Sequence, residues 1–134
     1  MHELTLVQGI LDSVNESART EGRKVAGFTI GIGELAQFDR RLLRKLFRDL
    51  TEGTPLGDAK ASFEFEMAGL KCLGCGNKLS FRDLSGQLSK QEKEMVHFLP
   101  ELLNSFAKCP TCSRSYFEIE AGRSVRIVEI VFDG

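Results

Sequence analysis

The sequence has 134 residues, of which 42% are apolar, which fits one ordinary domain or one core with a small metal-stabilised module. The formal net charge is −1, so the chain has no strong overall field for nucleic acid or for a membrane surface. The chain contains no apolar run of about 18 residues and its start carries no basic region, so we predict neither a membrane span nor a signal peptide.

Helical periodicity appears twice in the first half of the chain. Apolar residues recur at three- and four-residue steps over residues 3–20, which predicts an amphipathic helix. Asp39 is a good N-cap for a second helix, which Gly53 and Pro55 end. This second helix has an apolar stripe and a basic outer face. The basic residues are Arg40, Arg41, Arg44, Lys45 and Arg48.

Three segments show the pattern of β-strands. Alternation over residues 24–34 and 59–66 predicts two strands, and in the second of them the face with Phe63 and Phe65 is expected to be buried. Residues 124–132 carry apolar side chains on both faces, which predicts a central or covered strand.

Residues 70–116 differ in character from the rest of the chain, because they hold all four cysteines and show little periodicity. The middle part, 83–94, is polar and is predicted to be a solvated loop or short helix. The following stretch, 95–106, is apolar and is expected to pack against something. We therefore predict an α+β fold with a metal-binding segment inserted between the second and last strands.

The four cysteines form two C-x-x-C pairs, Cys72 with Cys75 and Cys109 with Cys112. A two-residue spacer lets both thiolates of a pair reach one ion from a tight turn, and two such turns complete a tetrahedral sulfur shell that suits Zn²⁺. Gly76, directly after the first pair, suits the positive φ that such a turn often needs.

The expected role of this zinc is structural. Without a secretion signal the expected compartment is the cytoplasm, where thiols bind metal more often than they form disulfides. A closed four-thiolate shell leaves no open position for catalysis. The ion is expected to replace a core that this polar segment cannot build by itself.

The start Met1-His2-Glu3 has the groups needed to chelate a second metal. The α-amine, the backbone nitrogen of His2 and its imidazole can close two fused rings on one ion. Nickel and copper favour such a square-planar nitrogen shell, in which one corner stays open. The dipole of the following helix should ease loss of the amine proton. On spacing alone, an incidental second-position histidine with an ordinary first-turn acid is the favoured interpretation.

His97 is the other histidine of the chain and lies in the apolar stretch of the insert. One interpretation is a core histidine bonded to a backbone carbonyl. The other is a nickel ligand that fills the open corner of the N-terminal site.

The chain resembles the HypA/HybF family of hydrogenase nickel-insertion proteins nearly from end to end. The resemblance is carried by the N-terminal motif, by the two cysteine pairs and by three further segments. Those segments are Ile32-Gly33-Glu34-Leu35, Glu52-Gly53-Thr54 and the region of Gly122. Two features depart from the common bacterial pattern: residues 76–108 make a longer insert, as in the archaeal type, and Ser113 replaces the usual glycine after the last cysteine.

The resemblance implies two helices packed on a three-stranded sheet with an attached zinc domain. It implies Ni(II) at the N-terminal histidine, Zn(II) at the cysteines, and delivery of nickel to the [NiFe]-hydrogenase large subunit with a HypB-type nickel GTPase; some members also serve urease. The predicted domains are a nickel-binding domain, residues 1–69 with 118–134, and a zinc-binding domain, residues 70–117. The candidate nickel ligands are Met1, His2, Glu3 and His97. The sequence leaves the oligomeric state open, a homodimer included.

The sequence also bears on two other classes of function. A zinc-ribbon adaptor that binds protein or nucleic acid would use the basic face of the second helix, but the near-neutral charge and the lack of interleaved aromatic residues argue against nucleic acid. An enzyme is not predicted, because no histidine–carboxylate pair, nucleophile motif or phosphate-binding loop appears in the sequence.

Overall fold

The structure is a computed structural model that describes residues 3–36 and 38–134. The predicted α+β class is confirmed, with two helices on a three-stranded sheet and a four-cysteine insert. In chain order the elements are α1 (Glu3–Glu21), β1 (Val25–Gly33), α2 (Arg40–Thr51), β2 (Lys60–Glu66), β3 (Gly69–Cys72), β4 (Lys78–Ser80), α3 (Phe81–Ser85), α4 (Lys90–Phe98), a 3₁₀ turn (Pro100–Leu102), α5 (Leu103–Phe106), β5 (Phe117–Ala121) and β6 (Val125–Phe132).

The first sheet has the strand order β2-β1-β6 and buries its helix-covered face under α1 and α2. The helix stripes and the central strand β1 supply the core, since their apolar side chains face one another. Asp39 caps α2 as predicted, because its carboxylate accepts the N–H groups of Arg41 and Leu42. The buried members of this core are Val7, Ile10, Leu11, Val14, Val25, Phe28, Ile30, Ile32, Leu43, Phe47 and Leu56.

Two expectations about the outer strands are wrong. β6 is an edge strand of the sheet rather than a central one, and Val128 and Val131 on it are exposed. The predicted buried face of β2 is also incomplete, because Phe63 is half-buried while Phe65 is 49% exposed. The central position belongs to β1, whose hydrogen bonds to two neighbours leave its residues the least exposed of the three strands.

The inserted segment is more ordered than its sequence suggests. It forms a second antiparallel sheet of order β4-β3-β5, and the polar stretch predicted as a loop or short helix contains parts of α3 and α4. The expectation that this segment cannot build a core is wrong, because it has an apolar cluster of its own. The buried members are Leu35, Ala68, Leu70, Cys72, Phe81, Leu84, Leu88, Val96, Leu103, Ala107, Cys109 and Phe117.

Close backbone packing explains the glycine that precedes the last strand. Gly122 has a φ of +78°, and a Cβ there would lie 2.6 Å from the Cα of Ala68. Its carbonyl accepts the Leu35 N–H at 2.8 Å. Only glycine combines this backbone conformation with such a close approach.

The chain folds as two compact units. The first unit comprises the described residues of Met1–Ile32, Phe38–Glu64 and Val125–Gly134, and the second those of Gly33–Gln37 and Phe65–Ser124. The assignment of nickel and zinc to separate domains remains a prediction. None of the helices in the described ranges combines the length and the hydropathy needed to cross a bilayer.

Candidate metal centre

The first cysteine pair lies in the turn between β3 and β4. Cys72 is the last residue of β3, and its N–H donates to Asn77 O at 2.9 Å. The N–H of Gly76 donates back to Cys72 O at 2.7 Å. These two bonds close a knuckle in which Gly76 adopts a φ of +77°, the conformation expected from the sequence for this position.

The second cysteine pair forms the same knuckle just before β5. The Cys109 N–H donates to Arg114 O at 2.8 Å, and the Ser113 N–H donates to Cys109 O at 2.8 Å. Ser113 therefore occupies the position of Gly76 and takes a positive φ of +64°. Among the described residues other than glycine, it alone has a positive φ, which costs a non-glycine residue free energy.

The two knuckles bring the four sulfur atoms into one cluster, with all Sγ atoms within 4.8 Å of one another. Cys72 Sγ lies 3.5 Å from Cys112 Sγ, and Cys75 Sγ lies 3.7 Å from Cys109 Sγ. A tetrahedral zinc site with Zn–S bonds of about 2.3 Å places its sulfur atoms about 3.8 Å apart. The cysteine set and its spacing therefore fit a four-thiolate Zn²⁺ site, in agreement with the two C-x-x-C motifs.

Backbone N–H groups prepare the cluster for a cation. The N–H of Cys112, with that of Thr111 and the neighbouring sulfurs, lowers the pKa of Cys109 to about 6 against the opposing effect of desolvation. At Cys75 the Asn77 N–H acts to lower the pKa, but desolvation and the other three sulfurs outweigh it and raise the pKa to about 11. Without a metal, the Cys75 thiol therefore stays protonated near neutral pH, whereas a bound divalent metal deprotonates its thiol ligands.

Polar side chains tie the knuckles to each other and to the insert. Asn77 Nδ2 of the first knuckle donates to Thr111 Oγ1 of the second at 3.1 Å. Gln87 bonds both the N–H and the carbonyl of Lys108, each at 2.8 Å, directly before Cys109. Asn104 Oδ1 accepts the Phe117 N–H at 2.8 Å, where β5 begins. The sequence reasoning missed these amide side chains, because a Gln or Asn in a polar stretch carries no local signal of such a role.

The strained serine gives a direct test of the knuckle geometry. We expect Ser113→Gly to stabilise the metal-loaded protein by about 0.5–1 kcal/mol, because glycine adopts a positive φ without the steric cost and loses only part of that gain to its larger unfolded-state entropy. Thermal unfolding of the metal-loaded protein would measure the change.

Gly76→Ala is the matched control. A Cβ at Gly76 meets no atom within 4 Å, so its cost is backbone strain alone, and we expect a loss of about 1 kcal/mol. A lower stability of Ser113→Gly would contradict the argument, since it would mean that the serine hydroxyl stabilises the turn by more than the strain costs.

The other predicted site residues are placed as follows. Met1 and His2 lie outside the described residues. Glu3 is the first residue of α1 and is half-buried. His97 lies in the last turn of α4 and is half-buried, with its ring edge-on to Phe81 at a centroid distance of 5.9 Å. The two interpretations of His97 both remain predictions.

The fold and the cysteine cluster define a class, that of small α+β metal-binding proteins with a four-thiolate centre. Residues 1–132 match the sequence profile of a family described as hydrogenase/urease nickel incorporation, metallochaperone, HypA. The chain therefore belongs to the HypA family of metallochaperones.

Individual relatives agree with this assignment. The hydrogenase maturation factor HypA of Thermococcus sibiricus is 34% identical over 135 residues, covering 100% of this chain and 98% of that protein. The corresponding factor of Ignicoccus hospitalis is 34% identical over 137 residues, covering 100% and 94%.

Two solved structures share the fold. The solution structure of the Ni metallochaperone HypA from Helicobacter pylori has a TM-score of 0.63 at 19% identity, covering 98% of this chain and 97% of that one. A solution structure of a HypA protein has a TM-score of 0.66 at 19% identity, covering 98% and 96%. At this identity the likeness concerns the fold alone.

Proposed function

We propose that this chain binds one Ni(II) ion at its N-terminus as cargo and delivers it to the large subunit of a [NiFe]-hydrogenase during maturation. The observation that carries the proposal is the family match over residues 1–132, a range that includes the chelating start Met1-His2-Glu3. The chemistry of that start supports nickel, because an amine, an amide nitrogen and an imidazole can occupy three corners of a square-planar shell. The open fourth corner is what allows the ion to be passed on.

The proposed role of Zn(II) is structural and separate from the cargo. Its ligands are Cys72, Cys75, Cys109 and Cys112, which form a closed sulfur shell without an open position. The Zn²⁺ supplies the charge that holds four thiolates together, and the hydrogen-bonded knuckles fix their directions. The two ions would thus be bound by different ligand types, the nickel cargo by nitrogen and the structural zinc by sulfur.

The proposed partners follow from the delivery step. A HypB-type nickel GTPase would supply the nucleotide hydrolysis, for which the sequence has no phosphate-binding loop. The acceptor is the hydrogenase large subunit, and urease is the alternative client because the family description includes both enzymes.

A nickel titration of the zinc-loaded chain with an unmodified N-terminus tests the proposal. We expect one nickel per chain, a square-planar absorption band, and unchanged zinc content. The competing function, a zinc-ribbon adaptor, predicts no nitrogen-ligated nickel. If nickel binds only by displacing zinc from the cysteines, the chaperone proposal is wrong.

His97 remains the candidate ligand for the fourth corner, and its role can be separated from packing. As a ligand, His97→Ala should weaken nickel binding by at least about tenfold and shift the absorption band without loss of thermal stability. Phe81→Leu is the matched control, because it removes the ring that contacts His97 but leaves the imidazole. Lower thermal stability of His97→Ala with unchanged nickel affinity would identify His97 as a packing residue only.

A further inference from the structure

α2 carries a high density of positive charge. Its twelve residues carry five cations and one carboxylate, a formal charge of +4. Since the whole chain has a charge of −1, the remainder carries −5. All five cations are exposed, and the lone carboxylate of the helix, Asp49, is already paired with Lys45 at 3.6 Å. The family assignment and the metal sites leave this basic surface unexplained.

A groove runs between α2 and β2, and its two walls differ in chemistry. It has a volume of about 500 Å³, within the usual range of ligand pockets of about 300–1,000 Å³. On the helix wall stand Arg44 and Arg48, neither of which forms a salt bridge within the described part of the chain. On the strand wall stand Ala61 and Phe63, two residues apart and therefore on one face of β2. All the lining residues belong to the first unit.

Phe63 on the strand side of the groove orders the Arg44 side chain on the helix side. The Arg44 guanidinium lies 5.4 Å from the centroid of the Phe63 ring, a cation–π contact that holds the side chain across the groove. Phe63 in turn packs edge-on against the buried Phe47 at 5.6 Å. Arg44 therefore loses less side-chain entropy on binding an anion than a freely moving surface arginine would, which favours a role in binding.

The spacing of the arginines indicates the shape of the partner. Arg44 and Arg48 are four residues apart on one helix face, which places them about 6 Å apart along the helix axis. Alternate residues of an extended chain project to one side at a repeat of about 6.6 Å. Carboxylates at positions i and i+2 of an extended segment therefore match the two guanidinium groups, while the residue between them points the opposite way, towards the apolar wall.

We propose that this groove binds an extended polypeptide segment of another protein in which acidic and apolar residues alternate. The acidic side chains form charge-assisted hydrogen bonds with Arg44 and Arg48, and the apolar ones pack on Ala61 and Phe63. β2 is at the edge of its sheet, so no further strand of the described residues closes the groove on that side. The proposal does not rest on nickel binding.

A protein segment fits the groove better than a nucleic acid does. Glu52 also lines the groove, and its carboxylate repels a continuous phosphate backbone. The charge of −5 on the rest of the chain opposes any long polyanion in the same way. An alternating segment reduces both penalties because it presents only a few negative charges and because its apolar residues pack on Ala61 and Phe63 of β2.

The test uses a short fluorescent peptide of alternating Glu and Leu, with fluorescence anisotropy as the readout and the full-length, zinc-loaded chain as the receptor. Two peptide controls replace Glu by Gln, or keep the composition but place all acids together. The groove variant is Arg44→Gln with Arg48→Gln. The matched variant is Lys90→Gln with Lys93→Gln, which removes the same charge from exposed positions of α4. Ala61→Glu is a second groove variant that leaves α2 intact.

We expect the wild-type chain to bind the alternating peptide, the two groove variants to bind it at least about tenfold more weakly, and the α4 variant to be unchanged. Absence of wild-type binding, equal weakening by the α2 and α4 variants, or equal binding of either control peptide would overturn the proposal. If oligodeoxythymidine binds more tightly than the peptide and this binding is lost in the groove variant, the occupant of the groove is a nucleic acid and not a protein segment. A fall in molar mass of the groove variant in light scattering would identify a second copy of the chain as the occupant.

Discussion

Removal of zinc should unfold residues 70–116 while the first unit keeps its native structure. Structural zinc contributes on the order of 10 kcal/mol to the folding of small modules, whereas the net stability of a whole small domain is about 5–15 kcal/mol. The apolar cluster of the second unit depends on the ion, because two of its buried members, Cys72 and Cys109, are also proposed zinc ligands. Without the metal, no ion links the four thiols, which lie within 4.8 Å of one another beside this cluster.

Amide chemical shifts, recorded before and after treatment with a strong chelator under reducing conditions, would measure the loss of structure in residues 70–116. The core of the first unit contains no cysteine, so resonances from α1 and β1 serve as the internal control and should stay dispersed. Re-addition of zinc should restore the lost resonances. Native-like shifts throughout both knuckles of the metal-free protein would mean that zinc is not structural.

Local signals in the sequence explain why much of the fold could be predicted. The cap at Asp39 and the C-x-x-C pairs depend on residues within a few positions of each other, and the structure confirms both the cap and the clustering of the cysteines. The capping boxes that open α3 and α4, Ser80 with Asp83 and Ser89 with Glu92, carry the same kind of signal. The polar composition of residues 83–94 obscures it, so a loop is predicted there as readily as a short helix.

The errors concern features that depend on distant partners. Apolar residues on both faces of β6 predict burial, yet an edge position is decided by which strands pair, and β6 pairs only with β1 in its sheet. Phe65 alternates correctly in β2 but remains exposed. The groove likewise required the fold, since its arginines could be predicted to lie on one helix face but not to stand opposite Ala61 and Phe63.

Loss of the N-terminal chelate should abolish high-affinity nickel binding. We expect His2→Ala to weaken nickel binding by about 100-fold or more, because the imidazole closes a ring on the ion and a tethered ligand gains about 10²–10⁴ in effective affinity. Acetylation of the Met1 amine, or an extension of several residues before Met1, should do comparable harm, since either change removes the amine from the chelate. Isothermal titration with nickel, combined with the visible absorption spectrum, would measure both effects.

Zinc content is the control for folding in this experiment, and it should stay at one ion per chain in every variant because the cysteines are untouched. Glu3→Gln separates the carboxylate from the nitrogen ligands: it removes the first-turn charge of α1 but keeps the amine and His2, so we expect a smaller loss than for His2→Ala. An acetylated or extended chain that binds nickel with unchanged affinity and an unchanged spectrum would exclude the α-amine as a ligand. If His2→Ala binds nickel with unchanged affinity and an unchanged spectrum, the nickel site is not at the N-terminus.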